Sequence, residues 1–343
     1  YLYKKAVDPQ KLYYGAISGM VASIGDPYTV FLPPEAQKST KEELNGSFEG
    51  VGIELGFNPD KRLVVVAPLD GTPAQKAGIR PQDLIIKING KNTLGMSRED
   101  AVKLIRGPKG TGVTLSVLRE SEDLQEYKIT RDTILIKSVT AEVREVSGKK
   151  IGVIKLSRFG DRTTEEWNEA VSEVLSKGVQ GIVLDLRNNP GGYLDGAVFI
   201  ASEFLDGGEV VLQENSQGQR VSYKVNRAGR LLKQPLVVII NKGSASASEI
   251  VSGALQDRKR AKLVGEKSFG KGTIQDAQDL PGGSGIHITI AKWLTPQGGW
   301  VNELGGLEPD VVAENPTATA SSDVKGESTE KRDPQLEKAI ELL

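Results

Sequence analysis

At 343 residues the chain is longer than one hydrophobic core usually organises, so two or three domain-sized units are expected. Its 44 basic and 45 acidic residues leave a net charge of −1, which gives no overall field to draw in nucleic acid or an anionic membrane surface. With no cysteine and a single histidine, His287, the chain excludes disulfides, thiolate metal sites and a cysteine nucleophile, and any imidazole chemistry rests on one residue. No run reaches the roughly 18 apolar residues that span a bilayer. No leader opens the chain, and numbering starts at Tyr1 rather than Met, so a trimmed or processed form, with a signal or membrane anchor removed, is expected.

Asp8-Pro9 is an N-cap followed by proline at the first helical turn, and Leu12, Ala16, Met20 and Ile24 recur every four residues, which predicts a helix ended by Gly25-Asp26-Pro27. A polar helical stretch spans Pro34 to Leu44. The composition then shifts to short β-rich runs at Val51 to Leu55, Leu63 to Ala67, Leu84 to Asn89 and Val113 to Arg119, separated by turns such as Asn58-Pro59-Asp60 and Asn89-Gly90. Two short helices, Pro73 to Ala77 and Ser97 to Ile105, complete a small β-domain.

From Lys150 the pattern alternates strand and helix: Ile151 to Leu156, a helical face of Trp167, Ala170, Val171, Val174 and Leu175, then Gly181 to Leu186. An α/β domain containing parallel strands follows. Further apolar strands are expected at Val210 to Leu212 and Leu236 to Ile240, with a helix after each of Gly192 and Gly243. Asn315 to Arg332 is polar and without apolar periodicity, which predicts a mobile linker, and Asp333-Pro334 caps a last short helix. His287 falls in the alternating strand Ile286 to Ile290 and reads as structural.

The segment Pro235 to Glu249 turns from a buried strand through small residues into a helix, where free backbone N–H groups beside a serine can stabilise an oxyanion. The same Ser246-Ala-Ser-Glu249 is a capping box, and spacing does not choose among Ser244, Ser246 and Ser248. A serine nucleophile needs a base, and with imidazole confined to His287 a lysine of lowered pKa is the substitute. Ser268-Phe-Gly-Lys271-Gly-Thr273 supplies one: glycines permit close backbone approach, and Phe269 is an aromatic neighbour able to exclude water. Arg187-Asn-Asn-Pro-Gly-Gly192 also follows a strand and opens a helix, so its amides are expected in the same cleft. It lacks both Gly-Lys-Ser/Thr and GxGxxG, so nucleotide binding is weakly supported.

These segments together resemble the carboxyl-terminal processing peptidases, or tail-specific proteases. The matching motifs are Phe48-Glu-Gly-Val-Gly-Ile53, Asn189-Pro-Gly-Gly192, Gly243-Ser-Ala-Ser-Ala-Ser-Glu249, Gln256-Asp257 and Phe269-Gly-Lys-Gly-Thr-Ile-Gln275. In that family the middle serine of the triple is the nucleophile and the base lies 25 positions later; 271 − 246 = 25 implies Ser246 and Lys271. The resemblance also implies that Gln275 orients the lysine amine, that amides of Gly191 or Gly192 and of Ala247 form the oxyanion hole, and that Asp257 has a structural role.

The β-domain is similar to a PDZ module, with Gly50, Val51, Gly52 and Ile53 as the carboxylate-binding loop and Ser97 to Ile105 as the other groove wall. Arg106, just past that helix, is read as a sensor linking groove occupancy to the protease. The expected organisation is an α/β multidomain chain: N-terminal helical segment 1–46, PDZ domain 47–134, crotonase- or ClpP-like protease domain 135–315, and linker with C-terminal helix 316–343. The expected activity is serine endopeptidase action on proteins with accessible C-termini, with no metal, nucleotide or other cofactor and no nucleic-acid partner. An extracytoplasmic setting (periplasm, cell envelope or thylakoid lumen) and a homodimer built from the terminal elements are further implications of the resemblance. A catalytically silent PDZ binding protein and a crotonase-type acyl-CoA enzyme are the competing classes.

Overall fold

A computed structural model describes residues 8–119, 123–314 and 332–343. The chain forms two compact units: Tyr1–Asn45 together with Lys137–Leu343, and Gly46–Ile136 between them in sequence. The α/β multidomain expectation holds, and the terminal elements group with the larger unit. The strand Val30–Leu32 pairs antiparallel with Gly285–Leu294. The last helix, Pro334–Glu341, buries Leu336 and Ala339 against Ile151, Val153, Val183, Val237, Ile239 and Val264. Of the linker expected from Asn315 to Arg332, residues 315–331 lie outside the described residues.

The larger unit is organised by a six-stranded sheet in the order Val139–Val146, Lys149–Leu156, Gly181–Asp185, Leu236–Ile240, Lys262–Gly265 and Val311–Val312. The first pair is antiparallel and the remaining pairings are parallel. Leu236–Ile240 is apolar throughout and Gly181–Asp185 is so up to its last residue, because both faces are covered. On one side the helices Thr163–Ser176, Leu194–Ala201 and Ala247–Asp257 bury Trp167, Val171, Ile200, Ile250 and Val251 with Ile154, Leu184 and Val238; on the other lies the last helix. A second sheet carries Val30–Leu32, Gly285–Leu294, Glu209–Glu214 and Arg220–Lys224, with Thr273–Asp279 also paired to Gly285–Leu294.

In the first helix, Pro9–Ala22, the Asp8 carboxylate accepts the Gln10 N–H at 2.9 Å, as the cap signal foresees. Its repeating apolar residues do not enter a core: Leu12, Met20 and Ile24 are each more than 60% exposed. Among the described residues no helix is long and apolar enough to cross a membrane.

The second unit holds a sheet in the order Ile53–Phe57, Leu63–Pro68, Leu84–Ile88, Gly112–Leu118 and Gln125–Thr130, with the helices Pro73–Lys76 and Arg98–Ile105. Its core joins Val51, Leu55, Val65, Ile85, Leu115 and Val117 to Ala101 and Ile105 of the second helix. The strand read from Val51 begins instead at Ile53. Gly52 has φ +77°, and the carbonyls of Val51 and Gly52 are turned to accept the N–H groups of Ala74 and Leu69, each at 2.9 Å. Ile53–Phe57 is the terminal strand of this sheet, so one side of its backbone is unpaired within the sheet.

Candidate active site

Parallel strands place the loops at their carboxyl ends side by side, the usual position of a site in such a sheet. Gly181–Asp185 leads into the Gly-rich turn, Leu236–Ile240 into the serine turn, and Lys262–Gly265 into the lysine loop. Asn189, fully buried, ties the first two together. Its Nδ2 donates to Leu156 O at 2.8 Å, its Oδ1 accepts Gly191 N–H at 2.9 Å, and its carbonyl accepts Ala245 N–H at 3.0 Å and the Ser248 hydroxyl at 2.9 Å.

The structure separates the three serines. Ser244 and Ser248 are fully buried, and their hydroxyls donate to the carbonyls of Leu186 (2.8 Å) and Asn189 (2.9 Å). Ser246 is partly exposed, and its hydroxyl donates to no carbonyl among the described residues. Ser246 also has φ 54° and ψ −115°, a positive-φ conformation that costs a non-glycine residue about 1–3 kcal/mol and is seen where a side chain must be presented at a strand-to-helix turn. It forms a capping box with Glu249, so capping and presentation of the hydroxyl occur in one residue.

Glu249, fully buried, does more than cap. Oε2 accepts the N–H of Ser246 at 2.8 Å and that of Lys271 at 2.9 Å, while Oε1 accepts the Ser268 hydroxyl and the Gly270 N–H, each at 2.6 Å. One carboxylate therefore joins the serine turn to the lysine loop by four charge-assisted bonds. Tryptophan N–H groups fix the same loop: Trp293 Nε1 donates to Lys271 O at 3.0 Å and Trp300 Nε1 to Gly272 O at 2.9 Å.

Burial pushes the Lys271 amine below the ordinary lysine range, and the nearby negative charges of Asp26 and Glu249 oppose that fall. The aromatic cover expected from Phe269 comes from elsewhere. Phe269 is 56% exposed, and the ring near the amine is Tyr28, whose centroid is 5.1 Å from Nζ. Gln275 donates through Nε2 to Thr273 Oγ1 (2.8 Å) and Thr289 Oγ1 (3.2 Å), and among the described residues it has no hydrogen bond to Lys271. Its carbonyl oxygen is the atom available to a protonated amine.

Gly191 packs on the serine turn so closely that a Cβ there would lie 2.8 Å from Ser246 Cβ and 3.0 Å from Ala247 N. Its N–H is already given to Asn189 Oδ1, whereas the amides of Gly192 and Ala247 donate no hydrogen bond among the described residues. Of the three amides singled out in the sequence, these two are free for an oxyanion. Phe159 holds the Gly192 backbone: its N–H donates to Gly191 O at 2.9 Å and its carbonyl accepts Tyr193 N–H at 2.8 Å. His287 sits in the strand Gly285–Leu294, paired with Val30 and Ala277; burial first, and then the Lys271 charge, hold its pKa below the usual value. Asp257 accepts Gln297 N–H at 2.9 Å, a structural contact at the end of the serine helix.

In the other unit, Gly50, Val51 and Gly52 lead into the edge strand Ile53–Phe57, which Ile53 opens, and Arg106 is the C-cap of the helix Arg98–Ile105 with its guanidinium 4.3 Å over the Phe48 ring. Glu249, Asn189 and the segment Asp26 to Thr29 are site residues that the motif reading did not assign to the chemistry. Their signals were present only as a capping box, part of a Gly-rich turn and a helix stop.

The sequence profile of peptidase family S41 matches residues 150–313, that of the PDZ domain residues 64–119, and that of the activating protease CtpB N-terminal domain residues 1–36. The carboxy-terminal processing protease CtpA of Bacillus subtilis is 40% identical over 92% of this chain and 66% of its own length, so the chain spans just under two thirds of that relative. The carboxyl-terminal-processing protease of Synechocystis is 39% identical over 96% of this chain and 76% of its own length. A solved photosystem II D1 C-terminal processing protease superposes with TM-score 0.56 and 34% identity, over 92% of this chain and 85% of that one. The fold is also that of a putative S41 protease from Bacteroides fragilis, at TM-score 0.62 and 17% identity, over 90% and 85% of the two chains. The chain belongs to peptidase family S41, among the carboxy-terminal processing proteases.

Proposed function

We propose that the chain is a serine endopeptidase in which Ser246 is the nucleophile and Lys271 the general base. The observation that carries this is the selection among serines: Ser246 alone of the three presents a hydroxyl not committed to a carbonyl among the described residues, in a strained turn bonded through Glu249 to the loop of a half-buried lysine. Neutral Lys271 takes the Ser246 proton as Oγ attacks the scissile carbonyl, and the amides of Gly192 and Ala247 receive the oxyanion. Lys271 then returns the proton to the leaving amine, and water releases the acyl group. Gln275, once its carbonyl oxygen turns to the amine, holds Lys271 toward Ser246. No metal or cofactor enters these steps.

The Gly50 to Ile53 loop and the free edge of Ile53–Phe57 support a PDZ groove that takes an extended C-terminal tail by strand addition. Tail binding shifts an inactive-to-active equilibrium, with Arg106 as the sensor. That role of Arg106 is lost if Arg106→Ala leaves stimulation by peptide unchanged. A homodimer is supported by the exposed apolar residues Leu12, Tyr13, Met20 and Ile24 on and just after the first helix. Sedimentation of the protein with and without Met20→Glu tests it: a monomer in both removes that part. The family resemblance supports an extracytoplasmic setting.

The function is tested by trapping. A slowly deacylating ester or fluorophosphonate should add one acyl or phosphonyl group, mapped to Ser246 by mass spectrometry. Labelling of another residue, or none with a turnover-competent protein, rejects the assignment.

A further inference from the structure

Besides the three loops at the strand ends, a fourth segment reaches the lysine: the turn Asp26 to Thr29, just past the first helix. The Asp26 carboxylate is fixed by neutral donors, Tyr28 N–H at 3.2 Å, the Thr29 hydroxyl at 2.6 Å, and the Thr289 side chain. Thr289 N–H donates back to Thr29 Oγ1 at 3.1 Å, and Thr289 Oγ1 accepts Gln275 Nε2 at 3.2 Å. The proton order is self-consistent: each threonine hydroxyl donates to Asp26 and accepts from a nitrogen. The turn thus connects to Gln275 on one side, and on the other lays the Tyr28 ring 5.1 Å from Lys271 Nζ, within cation–π range.

The ionisable groups facing the amine are few. Asp26 and Glu249 both act on Lys271 by their charge. Burial raises the pKa of Asp26, but the donors outweigh it and hold the carboxyl below its ordinary value, so it is charged near neutral pH. Tyr28 is pushed above the ordinary phenol value by burial, Glu249 and Asp26, and stays neutral. His287 is kept below its ordinary value by burial and Lys271, and is neutral above the acid range. Glu249 is held by four donors of the two loops and Asp26 by the donors of its own turn and Thr289, so among the described residues neither carboxylate has a cation partner in an ion pair.

We infer that Asp26 is a positioning residue for Lys271: its carboxylate, which forms no ion pair with the amine among the described residues, fixes the turn that lays the Tyr28 ring beside Nζ and places a negative charge near the ammonium. The inference rests on the proposed role of Lys271. It gives the N-terminal segment a part in the chemistry, through a residue that touches neither substrate nor the reacting atoms.

The test is the pH dependence of kcat/KM toward a fluorogenic peptide for the wild type, Asp26→Asn and Asp26→Glu, with folding checked by thermal melting. Removing the carboxylate eases loss of the lysine proton, so Asp26→Asn should move the acid limb to lower pH and raise kcat/KM at pH 6 relative to pH 9 by roughly three- to tenfold. Asp26→Glu should return the limb toward its wild-type position whatever its absolute rate. Asp26→Ser replaces the Asn variant if that fails to fold. The displacement should persist in a His287→Gln background; its disappearance there would assign the limb to His287 and overturn the inference. An unmoved limb in folded, uncharged variants overturns it as well. Wild-type activity in Lys271→Ala would instead reject the general-base reading, a distinct failure.

Discussion

Glu249 Oε2 accepts the backbone N–H of Lys271 at 2.9 Å and on the same oxygen that of Ser246 at 2.8 Å. The spacing of the serine turn and the lysine loop, which carry the proposed nucleophile and base, is therefore set by a buried carboxylate that belongs to the helix carrying the serine. In Glu249→Gln one acceptor oxygen becomes an NH2 group facing donors, leaving buried N–H or O–H groups unpaired at about 1–3 kcal/mol each. The variant should melt at lower temperature and lose kcat more than KM rises. Full activity with an unchanged melt would remove Glu249 from the positioning role.

The serine triple should divide by stability and activity. Ser244→Ala and Ser248→Ala each leave a buried carbonyl without its hydroxyl and should cost about 1–3 kcal/mol in denaturant unfolding. Both should retain turnover per folded molecule. Ser246→Gly should abolish turnover yet raise stability by about 1 kcal/mol, because glycine accepts φ 54° without strain. A stability loss in Ser246→Gly equal to those of its neighbours would mark Ser246 as only a cap.

Gly191 has φ +101° and no space for a side chain against Ser246. Gly191→Ala should displace the serine turn and reduce kcat/KM by at least about 100-fold, the scale associated with loss of oxyanion stabilisation. Gly192→Ala, whose Cβ would run into the Phe159 carbonyl, should do the same. Comparable activity in either variant would mean that the two turns do not act together.

Burial lowers the Lys271 pKa, with Asp26 and Glu249 opposing. The deprotonated amine is the active form of a general base, so kcat/KM should rise with pH and level off below the ordinary lysine value near 10.5. An inflection at or above that value would place the amine in water rather than in the pocket.

Arg187, in the Gly-rich turn, donates to Asp185 Oδ2 and Asp333 Oδ2, each at 2.7 Å, and so fastens the cap of the last helix. Arg187→Ala leaves two carboxylates, one of them buried, without their cation and should destabilise by about 3 kcal/mol. Burial raises the pKa of Asp333 but Arg187 and Leu336 N–H outweigh it, so the folded value lies below the ordinary 3.8. Its contribution is present above the unfolded value and lost as pH falls through the folded one. Acid unfolding monitored in wild type and Asp333→Asn should show the difference shrinking as pH drops through that range.

Much of the fold was legible because local pattern and burial agree. Leu236–Ile240 is an unbroken apolar strand in sequence and is buried at every position. The strand-turn-helix around Ser246 was legible for the same reason. The choice among Ser244, Ser246 and Ser248 was not, since it depends on which hydroxyls turn inward to Leu186 and Asn189, 58 and 59 residues away. Glu249 showed only its local role as a cap; its partners Ser268, Gly270 and Lys271 are 19 to 22 residues on. Phe269 was the plausible cover for Lys271 by adjacency, but Tyr28 fills that place. It does so because Val30–Leu32 joins the strand Gly285–Leu294, a contact such as Thr29 to Thr289 spanning 260 positions that no local signal carries.

The most direct test is cleavage of an unfolded protein such as casein by the wild type, Ser246→Ala and Lys271→Ala, with and without an apolar C-terminal peptide. Cleavage by the wild type alone, stimulated by the peptide, with both variants folded and inactive, is the predicted result. Cleavage surviving either substitution would contradict the pair, and a folded wild type that cuts nothing under either condition would bring forward a peptide-binding protein in its place.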